Sequence, residues 1–206
     1  DLVTAPVLNE AHQLQGRIRV DAIVDFIRRH SDEEQLAEAG LREDEDIFSS
    51  VWKSARNRWF WLAINLVTAF IASRVIGIFE GSIEKIVALA ALMPIVAGIG
   101  GNSGNQTITM IVRALALKQI TASSARKLFA KEIGVSVING LIWGGMLGVI
   151  AYALYKNLSL GLVMTAAMTL NLVLAALMGV GIPMALLKLG RDPAMGSSVL
   201  ITAVTD

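Results

Sequence analysis

The 206-residue chain has no cysteine and only two histidines, His12 and His30. Neither a disulfide nor a thiolate metal ligand can therefore enter its chemistry. Both histidines lie in the charged N-terminal part, no serine has a visible base partner, and no phosphate-cradling loop occurs. Enzyme readings lose their nucleophile, their general base and their phosphate site together. A strong charge of one sign is lacking too: the formal net charge is +1, and no basic patch suited to nucleic acid is visible. The opening DLVTAPVLNE has no basic stretch followed by an apolar core, so it does not read as a signal peptide; it reads as the middle of a larger protein.

What the chain has is apolar length. Hydrophobic residues make up 54% of it and the mean hydropathy is +0.61, above what a soluble domain carries. Several apolar runs approach the roughly 20 residues that cross a bilayer. Charges are segregated, most of them before Arg58 and the rest mainly in short loops. The expected fold is an all-α integral membrane domain with five transmembrane helices, the fifth truncated, preceded by a small α/β piece and a connecting helix.

In chain order, residues 1–30 form a soluble unit. TAPVLNE and GRIRV are short strand patterns joined by AHQLQ, and DAIVDFIRRH follows as an amphipathic helix with Ala22, Ile23, Phe26 and Ile27 on one face. A unit of this size cannot bury much core. Residues 31–57 are an acidic connecting helix and linker. Ser31 with Glu34 three residues on reads as a helix start, and the helix is expected to end near Gly40. Asp32, Glu33, Glu34, Glu38, Glu43, Asp44, Glu45 and Asp46 make either a solvated face or, so close to the membrane, a sensor of divalent cations.

Residues 58–206 are the membrane part. The first crossing is read over Trp59 to Phe79, with Trp59 and Trp61 suited to the interface and Arg74 an anchor reaching the far side. The second run, Ile83 to Leu117, is too long for one straight crossing, so it is either strongly tilted or broken at Pro94 and the glycines beyond it. A third helix reaches about Tyr155, a fourth runs from about Leu162 to Leu189 with a kink at Pro183, and a fifth starts near Pro193. Basic residues precede the first helix, separate the second from the third and follow the fourth, which places those loops and the N-terminus in the cytosol.

Within the second run, Met93 to Arg113 reads MPIVAGIGGNSGNQTITMIVR. Gly98, Gly100, Gly101 and Gly104 remove side chains where Asn102, Ser103, Asn105, Gln106, Thr107 and Thr109 crowd polar groups together. Lipid satisfies none of these groups, so the segment either lines a permeation path or packs closely against other helices. Asp206 is a second anomaly: an ionisable group in a transmembrane helix costs about 2.5 to 3.5 kcal/mol at its centre and faces the interior by default. A purely structural scaffold would leave it without a task. Read as continuous helix, Asp192, Met195, Val199, Thr202 and Asp206 fall on one stripe, with the two carboxylates about 21 Å apart. A hydrated dication is held by oxygen acceptors spaced for its waters. A carboxylate from Asp206, the Asn105 carbonyl and the Thr202 hydroxyl, with Asn102 beside them, are acceptors suited to a hydrated ion.

ALMPIVAGIGGNSGNQTITMIVRALAL, RDPAMGSSVLITAVTD and EDEDIFSSVWKSARNRWFWLAINLVTAF together resemble the transmembrane domain of the MgtE family of magnesium channels, with its GGNxGNQ signature and its Asp-Pro-Ala turn before the last helix. PVLNEAHQLQGRIRVDAIVD resembles the closing half of a second CBS module, and residues 31–50 occupy the place of that family's plug helix. The resemblance implies a homodimeric Mg²⁺ channel of the plasma membrane, gated by cytosolic Mg²⁺, with the lipid bilayer and divalent cations as its partners. It matches the pore aspartate to Asp206, the pore asparagine to Asn105 and the turn aspartate to Asp192. The family's magnesium-sensing acids match Asp21, Asp25, Glu33 and Glu34. Ala22 and His30 stand where the family carries further acids, which weakens the sensor. An ion-coupled carrier of divalent cations is the alternative, because discontinuous helices serve carriers as readily as channels.

Overall fold

The computed structural model describes residues 4–38, 41, 48–120 and 122–206. Strands β1 (Thr4–Leu8) and β2 (Leu14–Arg19) pair antiparallel, Thr4 opposite Arg19, with a bulge between Val7 and Leu8. Asn9 closes the connection: its Oδ1 accepts the Gln13 N–H at 2.8 Å while its own N–H donates to the Gln13 carbonyl at 3.0 Å. Leu14, Ile18, Phe26 and Ile27 stay exposed, as expected where a two-stranded hairpin and one helix are too small to build a core.

Helix α1 (Val20–Glu38) follows without a break. The helix start read at Ser31 is corrected: Ser31 is an interior residue, and the reading boundary at residue 30 falls inside α1. No glycine or proline interrupts the segment, and extending an existing helix costs less than nucleating a second one. Glu43 to Asp46 and the helix end near Gly40 lie outside the described residues.

Among the described residues three helices are long and apolar enough to cross a membrane: α2 (Val51–Ile78), most of α5 (Ala122–Tyr155) and α6 (Leu158–Lys188). Helix α2 starts well before Trp59 because the Ser50 hydroxyl caps it, accepting the Lys53 N–H at 3.4 Å. None of its residues is buried. Its aromatic end is organised by edge-to-face pairs, Trp52 with Trp59 and Phe60 with Trp61, each at 5.3 Å between ring centres. The Arg74 guanidinium sits 5.4 Å from the Phe70 ring centre, so the read anchor is also a cation–π contact.

Beyond α2 a short helix α3 (Glu80–Lys85) precedes α4 (Ala88–Ala116). The long second run is thus interrupted at Ile86 and Val87, and the break expected at Pro94 and the glycines is corrected: α4 is one helix through both. Pro94 lies in its second turn, where the missing N–H removes a single helical bond, and the glycines are held helical by the packing described below.

The α5–α6 hairpin is the most intimate contact in the molecule. Lys156 takes a left-handed turn, and the Asn157 side chain caps α6 by accepting the Leu160 N–H at 3.1 Å. Gly140, Gly144 and Gly148 then cross directly over Thr169, Thr165 and Gly161, and the Thr165 hydroxyl donates to the Gly144 carbonyl at 3.0 Å. Small residues that admit backbone to backbone are the usual currency of helix association in lipid. One buried cluster gathers Leu92, Leu147, Ala151, Leu160, Met164, Met168 and Leu172, while a second joins Ile108, Val112, Ile182, Ala194 and Ile201, with Ala37 of α1 packed against it.

The last helix, α7 (Ser197–Thr205), begins later than expected. Residues 192–196 form a turn instead: the Asp192 Oδ1 accepts the Ala194 N–H at 2.9 Å, the Ser197 hydroxyl donates to the Pro193 carbonyl at 2.6 Å, and Gly196 is left-handed at φ 62°. The single stripe from Asp192 to Asp206 is therefore corrected, because the left-handed residue breaks the regular rise between them. Only Val199 and Thr202 lie within the helix, with Asp206 as its C-cap.

Candidate functional site

The glycines of α4 are spaces filled by its neighbours. A Cβ on Gly100 would fall on the Asn171 amide of α6, a Cβ on Gly104 would fall on Ile201 of α7, and one on Gly101 would lie 3.4 Å from the Thr205 hydroxyl. From the other side Gly179 of α6 admits Thr107, whose Cβ is 2.9 Å from where a side chain would start. The small residues of the segment thus pack closely on one face of the helix. Gly100, Gly104 and Thr107 are buried against α6 and α7, whereas Asn102, Gln106 and Thr109 are exposed.

Asn105 lies at the margin between these faces. Its residue is half-buried, yet its Oδ1 is a buried oxygen with no hydrogen-bond partner, the single such side-chain atom among the described residues. Leaving an acceptor in this state costs about 1–3 kcal/mol unless water or an ion completes it. The contacts Gly104 with Ile201 and Gly101 with Thr205 run antiparallel, so Asn105 and Thr202 lie on opposite sides of the Gly104–Ile201 contact along the α4–α7 seam, about 3 Å apart at 1.5 Å rise per residue. Thr202 is exposed, and its hydroxyl proton is committed to the Ser198 carbonyl at 3.0 Å, which leaves its lone pairs as acceptors.

Asp206 is exposed at the end of α7 and lines two clefts, of about 610 Å³ and about 440 Å³. The larger cleft also holds Asn171 and Thr205. Asp192 is exposed in the turn before α7, with one carboxylate oxygen engaged by that turn. On α1, Asp21 pairs with Arg19 at 2.8 Å, Asp25 is exposed and Glu33 is half-buried, while the Glu34 side chain lies outside the described residues. Among the described residues no group of three or more histidines and carboxylates comes together. One chain therefore places Asn105 and Thr202 beside the α4–α7 seam, on either side of the Gly104–Ile201 contact, with Asp206 further along α7, but it does not join these to Asp192 or to the acids of α1.

Two polar residues were passed over in the sequence. Asn171 interrupts the apolar run of α6, and its amide donates to the Val96 carbonyl at 2.9 Å and to the Thr205 carbonyl at 3.4 Å. Glu132 of α5 is 4% exposed; its carboxylate accepts the Thr107 hydroxyl at 3.4 Å and lies 3.6 Å from the Lys131 ammonium. Each had a signal, since an amide or acid within a membrane-length helix is costly and marks an interior contact.

These elements define an all-α membrane domain whose central helix turns small and amide residues toward a last helix tipped by a carboxylate. Residues 93–206 match the MgtE family, described as divalent cation transporter, and the chain belongs to that family. Its members are transporters and not enzymes. Along its whole length the chain is 30% identical to the magnesium transporter MgtE of Bacillus subtilis (strain 168), over 46% of that protein. It is 32% identical to the magnesium transporter MgtE of Thermus thermophilus, again over 46% of the relative, and 30% identical to that of Enterococcus faecalis, over 45%. The chain spans about half the length of the curated relatives it matches.

Proposed function

We propose that this chain is the membrane part, with its cytosolic approach, of a Mg²⁺-selective channel that passes hydrated Mg²⁺ into the cytosol. The observation that carries the reading is the orphaned Asn105 Oδ1, a buried acceptor without a donor, beside the α4–α7 seam that also carries Thr202 and Asp206. Neutral oxygens that bind ion-bound water, next to a carboxylate that balances charge, suit a cation which dehydrates reluctantly. A single Asp206 per chain supplies half the charge of a dication, so the path lies between two copies, the commonest oligomer being a two-fold dimer.

In this reading residues 58–206 are the pore domain in the plasma membrane, with helices α2, α4, α5, α6 and α7 as its five crossings. Residues 1–30 are the end of a CBS module and residues 31–57 the acidic plug. The N-terminus is cytosolic, and cytosolic Mg²⁺ held by Asp21, Asp25, Glu33 and Glu34 shuts the pore. The relatives named as magnesium transporters support Mg²⁺ as the cargo. An ion-coupled carrier of divalent cations is the alternative; current that is linear with voltage and needs no counter-ion favours the channel over it. Asp206→Asn tests the reading: it keeps size and hydrogen bonding but removes the charge, worth about 4 kcal/mol at 4 Å for an effective dielectric near 20. Mg²⁺ flux into liposomes is expected to vanish from a folded dimer, and wild-type flux would show that the ion passes elsewhere.

A further inference from the structure

Asn171 ties three helices together at the height of the proposed filter. Its nitrogen reaches the Val96 carbonyl of α4 at 2.9 Å and the Thr205 carbonyl of α7 at 3.4 Å. Both acceptors are carbonyl oxygens, so only the NH₂ end of the amide can face them, and its two protons serve one partner each. Gly100 has no side chain where the amide sits, which lets the donor pass between α4 and α6. Thr205, the α7 partner, is also the residue before Asp206, and Asn171 lines the same cleft of about 610 Å³ as both of them.

We propose that Asn171 is a positioning residue for ion selection: by clasping α4 at Val96 and α7 at Thr205 it fixes the height and rotation at which Asp206 meets the ion. This rests on the reading of Asp206 given above. Holding a hydrated Mg²⁺ and refusing a larger dication requires acceptors at a set spacing. A carboxylate keeps such spacing only if the backbone that carries it is held by supporting contacts. Of the described residues of α7 only Ser197, Ile201 and Thr205 are buried, and the amide clasp adds a directional polar hold at Thr205 to that packing.

Asn171→Leu keeps the branching and the number of side-chain heavy atoms and removes both hydrogen bonds. In the full-length protein reconstituted into liposomes, the half-saturating Mg²⁺ concentration is expected to rise about five- to tenfold, the equivalent of one hydrogen bond. The preference for Mg²⁺ over Ca²⁺ falls with it. Asn171→Gln, which retains an amide donor, restores part of both. Gly100→Ala places a methyl group where the amide sits and reproduces the Asn171→Leu behaviour without altering Asn171, so the test survives a failure of Asn171→Leu to fold. A packing role alone lowers the yield of folded protein while half-saturation and ion preference stay at wild-type values, and that result overturns the proposal. Asp206→Asn is measured in parallel. Flux lost there with unchanged selectivity in the Asn171 and Gly100 variants sinks this inference alone; flux retained there sinks the channel reading beneath it.

Discussion

Replacing Gly104 by alanine adds one methyl group at the closest approach of α4 and α7. The new Cβ falls on Ile201 Cγ1 and lies 2.9 Å from its Cδ1, with the Ala175 Cβ at 3.6 Å behind it. Ile201 is fully buried among Ile108, Val112, Ile182 and Ala194, so it cannot swing aside. Overpacking of this kind costs about 1–3 kcal/mol, which for a chain of this size lowers the unfolding midpoint by about 2–4 °C per kcal/mol. Ile201→Ala alone leaves a cavity and costs about 2–5 kcal/mol. In the double variant the added methyl occupies the volume that Ile201 vacates. The two losses are therefore expected to fall short of their sum by about 1–2 kcal/mol, within the range of coupling seen for residues in contact. Gly98→Ala is the control, because nothing lies within 4 Å of its Cβ position. It is expected to be neutral or to stabilise by up to about 1 kcal/mol through helix propensity. Thermal unfolding of the four variants in detergent reads all of this. Additive losses at 104 and 201 to within about 0.5 kcal/mol, or equal damage at 98 and 104, would refute the view that the glycines are seats for α7.

Asn105→Ala removes the orphaned acceptor and is expected to weaken Mg²⁺ flux about fivefold, less than Asp206→Asn, with no loss of folded protein; a variant indistinguishable from wild type in a concentration series would exclude that oxygen from the path. Cysteines placed at Lys118 and at Glu84 are expected to react with an impermeant reagent from the cytosolic and external sides respectively, and labelling of both from one side would overturn the five-crossing topology. Asp25→Asn together with Glu33→Gln is expected to raise the cytosolic Mg²⁺ needed to halve the flux, and an unchanged inhibition curve would remove α1 from the sensor.

Helix positions were largely legible because period and composition are local properties. The hairpin, α5 and α6 follow from alternation and from apolar length, and the connection before α5 from Lys118 together with the basic foot of that helix, Arg126, Lys127 and Lys131. Continuity was not legible. Ser31 and Glu34 carry a good start signal, but a helix already running through His30 overrides it, and Pro94 with the glycines reads as a break until α6 and α7 are seen packed over them. The site was half visible: Asn105 and Asp206 stand out as polar groups in apolar runs, whereas Asn171 and Glu132 matter through partners some 75 and 25 residues away in the chain. Gly196 hid a further fact, since nothing nearby in the sequence marks it as the left-handed stop that separates Asp192 from α7.

The Gly196 N–H donates to the Ala37 carbonyl of α1 at 2.9 Å, and the Trp61 ring of α2 covers the same glycine. One residue of the turn that launches α7 is thus shared by α1 and α2. Thermodynamic reciprocity then constrains any use of this junction. If freeing α1 from Gly196 alters the affinity of the Asp206 end of α7 for an ion by some factor, occupancy of that end alters the ease of freeing α1 by the same factor. The permeant ion and the regulator are in that case two ligands of a single equilibrium, and a titration of either one reports on the other.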